Sequence, residues 1–393
     1  MEKSKSQQLL ILALLSADIA VMGDKVIYPI VANLYSAFPD QTGWVNYIVS
    51  GPLFIIFLIS LLTSKLFPYF SKKKILVFSG VLFAVTSIFG CAIENVVYIS
   101  IMRTLYGASI AMINVTAVAF IAEISSTNEE RNRITSVFNG GLAVIGTVAS
   151  LCAGILGAAS WKGVFRYYYI SILMVALFVL LLPETNQKTE TVTAAVNKQK
   201  SKTYSPQFWI CMATVTVIAL CFNIIAMFVS AYIAENGLGG TSESSIASAL
   251  VTVGSMAVSF CFTQLYKRWK KNTILLSNLL LIIAFLVLHF AASLILTYIS
   301  MFAVGAAYMC ALNFSYSQGA ALAPDRIDDA IGMATALFAV AGFLSTYIVT
   351  GLMEIMGTQN IKTIILVPLA LLIVLVLFYP IITKGNKRAP ENE

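Results

Sequence analysis

Long apolar stretches alternate with short polar segments along the whole chain. A helix needs roughly 20 apolar residues to cross the hydrocarbon core of a bilayer. Twelve stretches meet that length, and the pattern therefore predicts an all-α integral membrane protein with twelve transmembrane helices. The predicted spans are residues 8–34, 43–66, 75–93, 97–122, 135–157, 164–182, 208–234, 245–266, 273–292, 295–322, 331–354 and 362–382.

The polar stretch 183–207 is rich in Lys, Thr and Gln and shows no apolar period, which predicts a linker. It separates an N-terminal six-helix bundle, residues 1–182, from a C-terminal bundle with a short tail, residues 208–393. The segments 70–76 and 269–275 both run from an aromatic through lysines to Ile-Leu. Basic clusters recur in many membrane proteins, but the matching place favours a duplicated, pseudo-symmetric unit. Such repeats are common in transporters, with the substrate site near the midplane between them.

The basic residues are strongly segregated between the two sides of the predicted bundle. Of the 25 Lys and Arg, twenty lie on the side of the termini and the linker. The opposite side holds only Lys162, Arg166 and Lys362. Because cytoplasmic loops carry the excess of positive charge, both termini and the linker are predicted to be cytoplasmic in a multi-pass cell-membrane protein.

Composition narrows the functional classes. Hydrophobic residues make up 59% of the chain and charged residues 11%, against about 25% charged in ordinary soluble domains. The net charge of +7 resides in membrane loops and does not predict nucleic-acid binding. A membrane-embedded enzyme would need a nucleophile, a metal cluster or an acid/base pair, and a single histidine without such a constellation argues against it. The six-plus-six plan disfavours a channel or a receptor.

The first span carries three charged residues, Asp18, Asp24 and Lys25. Each charge at the bilayer centre costs about 2.5–3.5 kcal/mol on insertion scales. A continuous helix would place Asp18 and Lys25 on nearly one face and Asp24 roughly 120° from Asp18. We therefore expect most of this helix to be hidden from lipid and its charges to have partners or a function.

Several stretches resemble the signatures of one transporter family, the major facilitator superfamily. They are Trp161–Phe165 with Leu182–Thr185, similar to its WRW-x-F and PET signature; Arg103–Gly107, similar to R-x-x-x-G; Glu130–Arg133, similar to E-R-G-R; and Asp24 with Pro29, similar to the acid-then-proline motif of the drug/proton antiporter branch. The resemblance covers the chain, because the span number, the central linker and both basic loops also fit.

Two motifs depart from the family pattern. The loop 64–73 has Pro68 in place of the usual aspartate and Ser71 in place of the second glycine. The antiporter motif of span five reads ASLCAG at 149–154 and lacks the proline. Small residues still allow close helix packing, but the direction of transport stays open.

The resemblance implies a proton-coupling role for Asp24, Arg103 and Asp18. Burial disfavours the charged form of a carboxyl, which would let Asp24 load and release protons. The alternative is a permanent salt bridge to Lys25 or another base. Arg103 stays protonated and would hold a carboxylate ionised, or else form a packing ion pair. Asp18 would be a second proton site, a contact for a cationic substrate, or the ion-pair partner of Lys25.

In this superfamily, spans one, four, seven and ten line the cavity. The implied substrate-binding residues are Lys25, Asn114, Asn223, Tyr232, Asn313 and Tyr316. Lys25 could instead extend to the outer interface. The basic loops imply a cytoplasmic gate that consists of Lys72, Lys73, Arg131 and Arg133.

Together these features predict a secondary active transporter that exports small amphipathic organic compounds by alternating access, coupled to protons. The C-terminal cavity helices carry amide and phenol side chains but few charges. A cavity of this kind suits an amphipathic organic molecule. The alternative is a proton symporter or facilitator for a specific small metabolite on the same fold. We expect a monomer in the bilayer, without cofactor or metal.

Overall fold

The computed structural model describes residues 2–125, 128–184, 204–290, 293–323 and 327–384, and within these ranges all regular structure is helical. Fifteen α-helices follow one another along this part of the chain. They are α1 Glu2–Ser16, α2 Asp18–Val21, α3 Val31–Ala37, α4 Thr42–Thr63, α5 Lys72–Ile88, α6 Val96–Ile124, α7 Asn128–Gly157, α8 Ile170–Leu181, α9 Pro206–Glu235, α10 Thr241–Trp269, α11 Thr273–Phe290, α12 Leu294–Leu322, α13 Ile327–Met356, α14 Ile361–Ile364 and α15 Leu366–Lys384.

Short 3₁₀ helices complete several spans. They cover Gly23–Val26, Tyr28–Ile30, Ser64–Leu66, Trp161–Tyr169 and Lys270–Asn272. The nine-residue stretch Trp161–Tyr169 leads directly into α8, so the sixth span begins as a 3₁₀ helix and continues as an α-helix. Runs of this length are uncommon, because 3₁₀ hydrogen-bond geometry is poorer than that of the α-helix.

Every predicted span contains helix. Among the described residues, nine helices are long and apolar enough to cross a membrane, and Leu9–Val21 and Ile361–Leu377 are shorter apolar helices. The remaining predicted span, 75–93, corresponds to the 17-residue helix α5. The predicted all-α membrane fold is confirmed.

The first span differs from the continuous helix that the sequence analysis assumed. Helix α1 ends at Ser16, α2 covers one turn, and the chain then follows two 3₁₀ helices before α3. Gly23 favours the break because it stabilises a helix poorly, and Pro29 cannot donate a backbone hydrogen bond. The expectation that Asp18 and Lys25 share one face of a regular helix is therefore wrong.

The chain divides into two compact units. Unit 1 comprises residues 1–27 and 37–202, and unit 2 comprises residues 28–36 and 203–393. Most of the predicted linker 183–207 lies outside the described residues, as does the end of the predicted C-terminal tail.

One close helix crossing occurs in each unit at a glycine. In unit 1, α6 crosses α4 at Gly107, where a Cβ atom would lie 2.9 Å from the carbonyl oxygen of Pro52. In unit 2, α12 crosses α10 at Gly305, where a Cβ would overlap the carbonyl oxygen of Val251. Small residues let transmembrane helices approach at backbone distance. The two crossings thus fix the second and fourth spans of each unit against each other.

Candidate functional site

Asp24 and Arg103 form a buried ion pair in unit 1. The guanidinium Nη2 of Arg103 donates to Oδ1 of Asp24 at 2.5 Å, and both residues are buried. Asp24 lies in the 3₁₀ helix Gly23–Val26, and Arg103 projects from α6. The sequence analysis left the partner of Asp24 open between Lys25 and another base, and gave Arg103 the role of holding a carboxylate ionised. The structure provides Arg103.

A proline in the second span explains the position of the guanidinium. Pro52 lies inside α4 and has no N–H, so the carbonyl of Ile48, four residues earlier, lacks its usual helical partner. The Nε of Arg103 donates to this carbonyl at 2.8 Å. Gly107, one turn after Arg103, contacts Pro52 itself. The R-x-x-x-G motif therefore binds the proline turn of α4, and sequence reasoning missed Pro52 although it stands within a predicted span.

Aromatic rings surround the ion pair. The guanidinium carbon of Arg103 lies 4.4 Å from the ring centre of Tyr106, a cation–π distance. Phe83 packs 5.1 Å from Tyr106 and 6.0 Å from Tyr168, measured between ring centres. Tyr168 donates its hydroxyl to the carbonyl of Gly23 at 3.0 Å. Such apolar walls lower the local dielectric and strengthen the attraction between the two charges.

Gly23 brings span one close to this aromatic group. A Cβ at position 23 would overlap the hydroxyl of Tyr106 and lie 3.4 Å from Phe83. Only a residue without a side chain lets the backbone lie against these rings. The 3₁₀ turn that carries Asp24 is thereby held by side chains from α5, α6 and the sixth span.

Lys25 is partly buried beside the ion pair. Its ammonium is close enough to Asp24 for the two charges to interact, and its backbone carbonyl accepts a long hydrogen bond of 3.5 Å from Ser150 of α7. The structure thus places Lys25 in the same polar region as Asp24 and Arg103. Asp24 forms its salt bridge with Arg103.

Asp18 is separate from the ion pair. It begins the one-turn helix α2, and none of its surface is exposed. Neither carboxylate oxygen has a hydrogen-bond partner among the described residues. The alternative in which Asp18 pairs with Lys25 is therefore not found in this conformation. Gly141 of α7 lies against its carboxyl, because a Cβ at that position would overlap Oδ2 of Asp18.

The predicted substrate residues are distributed over both units. Asn114 is partly buried on α6 in unit 1. In unit 2, the amide of Asn223 donates to the carbonyl of Ala219 at 2.8 Å, and the backbone carbonyl of Asn313 accepts from Ser317. These three residues keep part of their surface accessible.

The two predicted tyrosines differ from each other. The hydroxyl of Tyr316 lies 3.1 Å from that of Thr335 and is partly accessible. Tyr232 is fully buried, and its hydroxyl donates to the carbonyl of Leu288 at 2.6 Å. In this conformation Tyr232 joins two helices and is not accessible to a substrate.

Unit 2 contains an aromatic stack that the site prediction omitted. The rings of Phe222 on α9 and Tyr308 on α12 are stacked with centres 3.9 Å apart, and Phe338 of α13 meets Tyr308 edge-on at 5.4 Å. All three helices belong to unit 2. Aromatic residues are so common in apolar spans that the sequence offered no signal to select these three.

The predicted gate residues are only partly visible. Lys72, at the start of α5, forms an ion pair with Glu123 near the end of α6. Lys73 is partly buried. Arg131 and Arg133 lie in α7, but their side chains are outside the described part of the structure. The sequence analysis gave no role to Glu123. In the structure its ion pair with Lys72 joins α6 to α5.

The fold and the charged interior of unit 1 define a multi-pass membrane transporter. The sequence profile of the Major Facilitator Superfamily matches residues 10–346. The chain belongs to this superfamily and is a transporter, not an enzyme.

Two relatives share the name Multidrug resistance protein MdtL. The protein from Shewanella oneidensis is 23% identical over 355 residues, which cover 86% of this chain and 89% of the relative. The protein from Shewanella sp. strain ANA-3 is 23% identical over 361 residues, with the same coverage.

Solved structures share the fold. A bacterial homolog of the human lysosomal transporter Spinster superposes with a TM-score of 0.80 at 13% identity, covering 98% of this chain and 99% of that protein. The nucleoside transporter NupG gives a TM-score of 0.78 at 13% identity, with coverage of 96% and 99%. At this level of identity the likeness concerns the fold alone.

Proposed function

We propose that this transporter exports small amphipathic organic compounds in exchange for protons. The observation that carries the proposal is the buried pair of Asp24 and Arg103, within a span that also holds Asp18. The likeness to proteins named Multidrug resistance protein supports the direction and the kind of substrate, at 23% identity.

The ion pair of Asp24 and Arg103 joins span one to α6 in this conformation. Removing one partner of a buried ion pair leaves an uncompensated charge, which is strongly unfavourable. Displacement of the Asp24 carboxylate from Arg103 by a cationic group therefore favours a different arrangement of span one against α6. A ligand that binds two such arrangements with different affinity shifts their populations, and this is the basis of alternating access.

The side chains of unit 2 fit an amphipathic substrate. Tyr308 is partly accessible and packs against the buried rings of Phe222 and Phe338, while Asn223 and Asn313 offer partly accessible amides. Binding sites for small organic molecules combine apolar and aromatic walls with few polar groups that fix orientation. The proposed substrate contacts of unit 2 are Asn223, Tyr308, Asn313 and Tyr316, and those of unit 1 are Lys25 and Asn114.

A proton symporter or facilitator for one metabolite is the second candidate. The observation in its favour is the sequence ASLCAG at 149–154, which lacks the proline of the antiporter motif. Both candidates use the same fold and the same charged residues, so they differ in the direction of proton flow relative to the substrate.

Proton flux in reconstituted vesicles separates the candidates. An inward substrate pulse, with ethidium as the cationic probe and a nucleoside as the hydrophilic probe, should expel protons from the lumen if the protein is an antiporter. Proton entry together with the probe would instead establish symport. Transport without proton movement would exclude both coupled mechanisms and leave the facilitator.

Asp24→Asn tests the proposed role of the ion pair. The variant should lose accumulation driven by a pH gradient and keep exchange of labelled for unlabelled probe, because the fold still binds substrate. Asp40→Asn, in an exposed loop position, is the matched control and should transport normally. Normal uphill transport by Asp24→Asn would remove Asp24 from the coupling mechanism.

The proposed orientation places the termini and the linker in the cytoplasm. A single cysteine introduced at Ala194 or Asn386, in a background without the six native cysteines, should resist impermeant thiol reagents in intact cells. Permeabilised cells provide the control. Labelling of either position from outside would reverse the proposed topology and move the gate residues to the other side.

A further inference from the structure

Asp18 combines complete burial with the absence of a partner. None of its surface is exposed, and neither oxygen accepts a hydrogen bond from any described residue. An ionised carboxylate in such a place loses its hydration without compensation, and in practice the group neutralises instead. Asp24 contrasts with it, because the guanidinium of Arg103 stabilises its charge.

The charged residues around Asp18 are distant or engaged. Helix α2 packs against α1, α6, α7, α8 and the 3₁₀ helix Gly23–Val26. The titratable side chains of these elements are Glu2, Lys3, Lys5, Asp24, Lys25, Tyr98, Arg103, Tyr106, Glu123, Glu129, Glu130, Arg131, Arg133 and Cys152. Arg103 is bound to Asp24 and Glu123 to Lys72, while Lys25 interacts with Asp24.

The remaining candidates are far along their helices. On α1, Lys5 precedes Asp18 by 13 positions (18 − 5), about 20 Å of helix. On α7, Arg133 precedes Gly141 by 8 positions (141 − 133), about 12 Å. Helix α8 contains no titratable residue.

Gly141 closes the space around the carboxyl. A Cβ at this position would overlap Oδ2 of Asp18 and lie 3.2 Å from Leu15. The adjacent Gly140 has nothing within 4 Å of its corresponding Cβ position among the described atoms. A methyl group at position 141 would thus meet Asp18 and Leu15, whereas one at the neighbouring position 140 would meet no described atom.

We propose that Asp18 is the group that loads the transported proton, held as a neutral acid against Gly141, while Asp24 stays ionised on Arg103. This inference rests on the proposed proton coupling and names the carboxyl that performs it. In a conformation that admits water, one carboxylate oxygen of Asp18 binds a proton from one side of the membrane. The same O–H bond breaks on the other side and regenerates the carboxylate. Separation of α2 from α7 at Gly141 is the movement that admits water.

Difference infrared spectroscopy of the reconstituted protein tests this assignment without any substrate. Wild type should show the carbonyl band of a protonated carboxylic acid, which disappears as the pH is raised. Asp18→Asn should lack that band, and Asp24→Asn should retain it. Loss of the band in Asp24→Asn with retention in Asp18→Asn would overturn the proposal, and so would its absence from wild type.

The glycine pair provides an independent test that leaves both acids in place. Gly141→Ala should shift the pH at which the band disappears by at least about one pH unit, since even 1.4 kcal/mol of altered environment has that effect. Gly140→Ala should leave it unchanged. Equal behaviour of the two variants would show that Gly141 does not enclose the acid, and would overturn the proposed opening between α2 and α7.

These outcomes are separable from failure of the proposed function. If wild type moves no protons with any probe while Asp18 carries the infrared band, export by proton exchange is wrong. If protons move and the band belongs to another residue, the assignment of Asp18 is wrong and the transport mechanism stands.

Discussion

The two units build the same helix crossing with different chemistry. In unit 1, Gly107 of α6 contacts the carbonyl of Pro52, and in unit 2, Gly305 of α12 contacts that of Val251. Pro52 and Val251 are 199 positions apart (251 − 52), the same offset that relates the basic segments 70–76 and 269–275. The repeat inferred from loop sequences thus also appears in the packing of the helices.

The units differ one turn before each glycine. Arg103 stands four positions before Gly107, whereas the buried Met301 stands four positions before Gly305. Val251 has the backbone N–H that Pro52 lacks, so the helix in unit 2 leaves no carbonyl open at this place. The comparison indicates that a cation enters such a crossing where a proline frees an acceptor and a carboxylate lies opposite.

The largest effect is expected when unit 1 is made to resemble unit 2. Arg103→Met leaves Asp24 as a buried, uncompensated charge, which should lower the free energy of unfolding by about 3–5 kcal/mol. Adding Asp24→Asn should recover part of that loss, as measured by denaturant unfolding in detergent. Met301→Leu is the control in unit 2, with an expected cost below about 1.5 kcal/mol. A double variant no more stable than Arg103→Met would contradict the pairing.

Glycine substitutions compare the tightness of the two crossings. Gly305→Ala should reduce stability by about 1–3 kcal/mol, because the added methyl meets a backbone carbonyl that cannot rotate away. Gly107→Ala should cost less, since its Cβ would lie 2.9 Å from the facing oxygen. Gly351→Ala has no described atom within 4 Å and serves as the control for helix propensity. Equal losses at positions 305 and 351 would refute the close crossing.

Pro52→Ala tests why the guanidinium lies where it does. The new N–H at position 52 can donate to the carbonyl of Ile48 and would compete with Arg103 for that acceptor. Because one hydrogen bond replaces another, the free energy of unfolding should change by no more than about 1 kcal/mol. Transport should decline more than stability, because Arg103 loses an acceptor that fixes its position beside Asp24. Unchanged transport across the pH range would show that the Ile48 carbonyl does not position Arg103.

The smallest effect is expected at the loop ion pair of Lys72 and Glu123. Both side chains are partly exposed, and pairs of this kind contribute about 0–1 kcal/mol. The free energies of unfolding of Lys72→Gln and of Glu123→Gln should therefore each lie within about 1 kcal/mol of the wild-type value. The interaction energy obtained from the double variant should decrease at high salt. If Lys72, Lys73, Arg131 and Arg133 form the proposed gate, neutralising all four should nevertheless change distances between spin labels in the two halves.

Hydropathy predicted the spans because bilayer thickness sets the length of an apolar helix, and the segregation of basic residues between alternate loops agreed with the same count. The contact of Asp24 with Arg103 could also be predicted from the sequence, since opposite charges buried in the membrane need partners. The break in span one could not be predicted, because a helix that contains a few residues of low helix propensity usually stays continuous. It breaks only where contacts with neighbouring helices favour a different backbone conformation. Tyr168 and Tyr106 provide them by binding and crowding Gly23, and such contacts involve residues remote in sequence. Asp18 was named as a candidate, but its isolation depends on Gly141, for which no pattern existed.

The segmented first span has a consequence for synthesis. It leaves the ribosome well before its partners, because Arg103 follows Asp24 by 79 residues and Tyr168 follows Gly23 by 145 residues. At about 5–20 residues per second, its charges spend at least several seconds in the insertion machinery without those partners. A segment with three charges is a poor candidate for independent release into lipid. We therefore expect the segmented span to stay at the translocon until the spans that carry Arg103 and Tyr168 have emerged, so that it is released into the bilayer later than its place in the chain suggests.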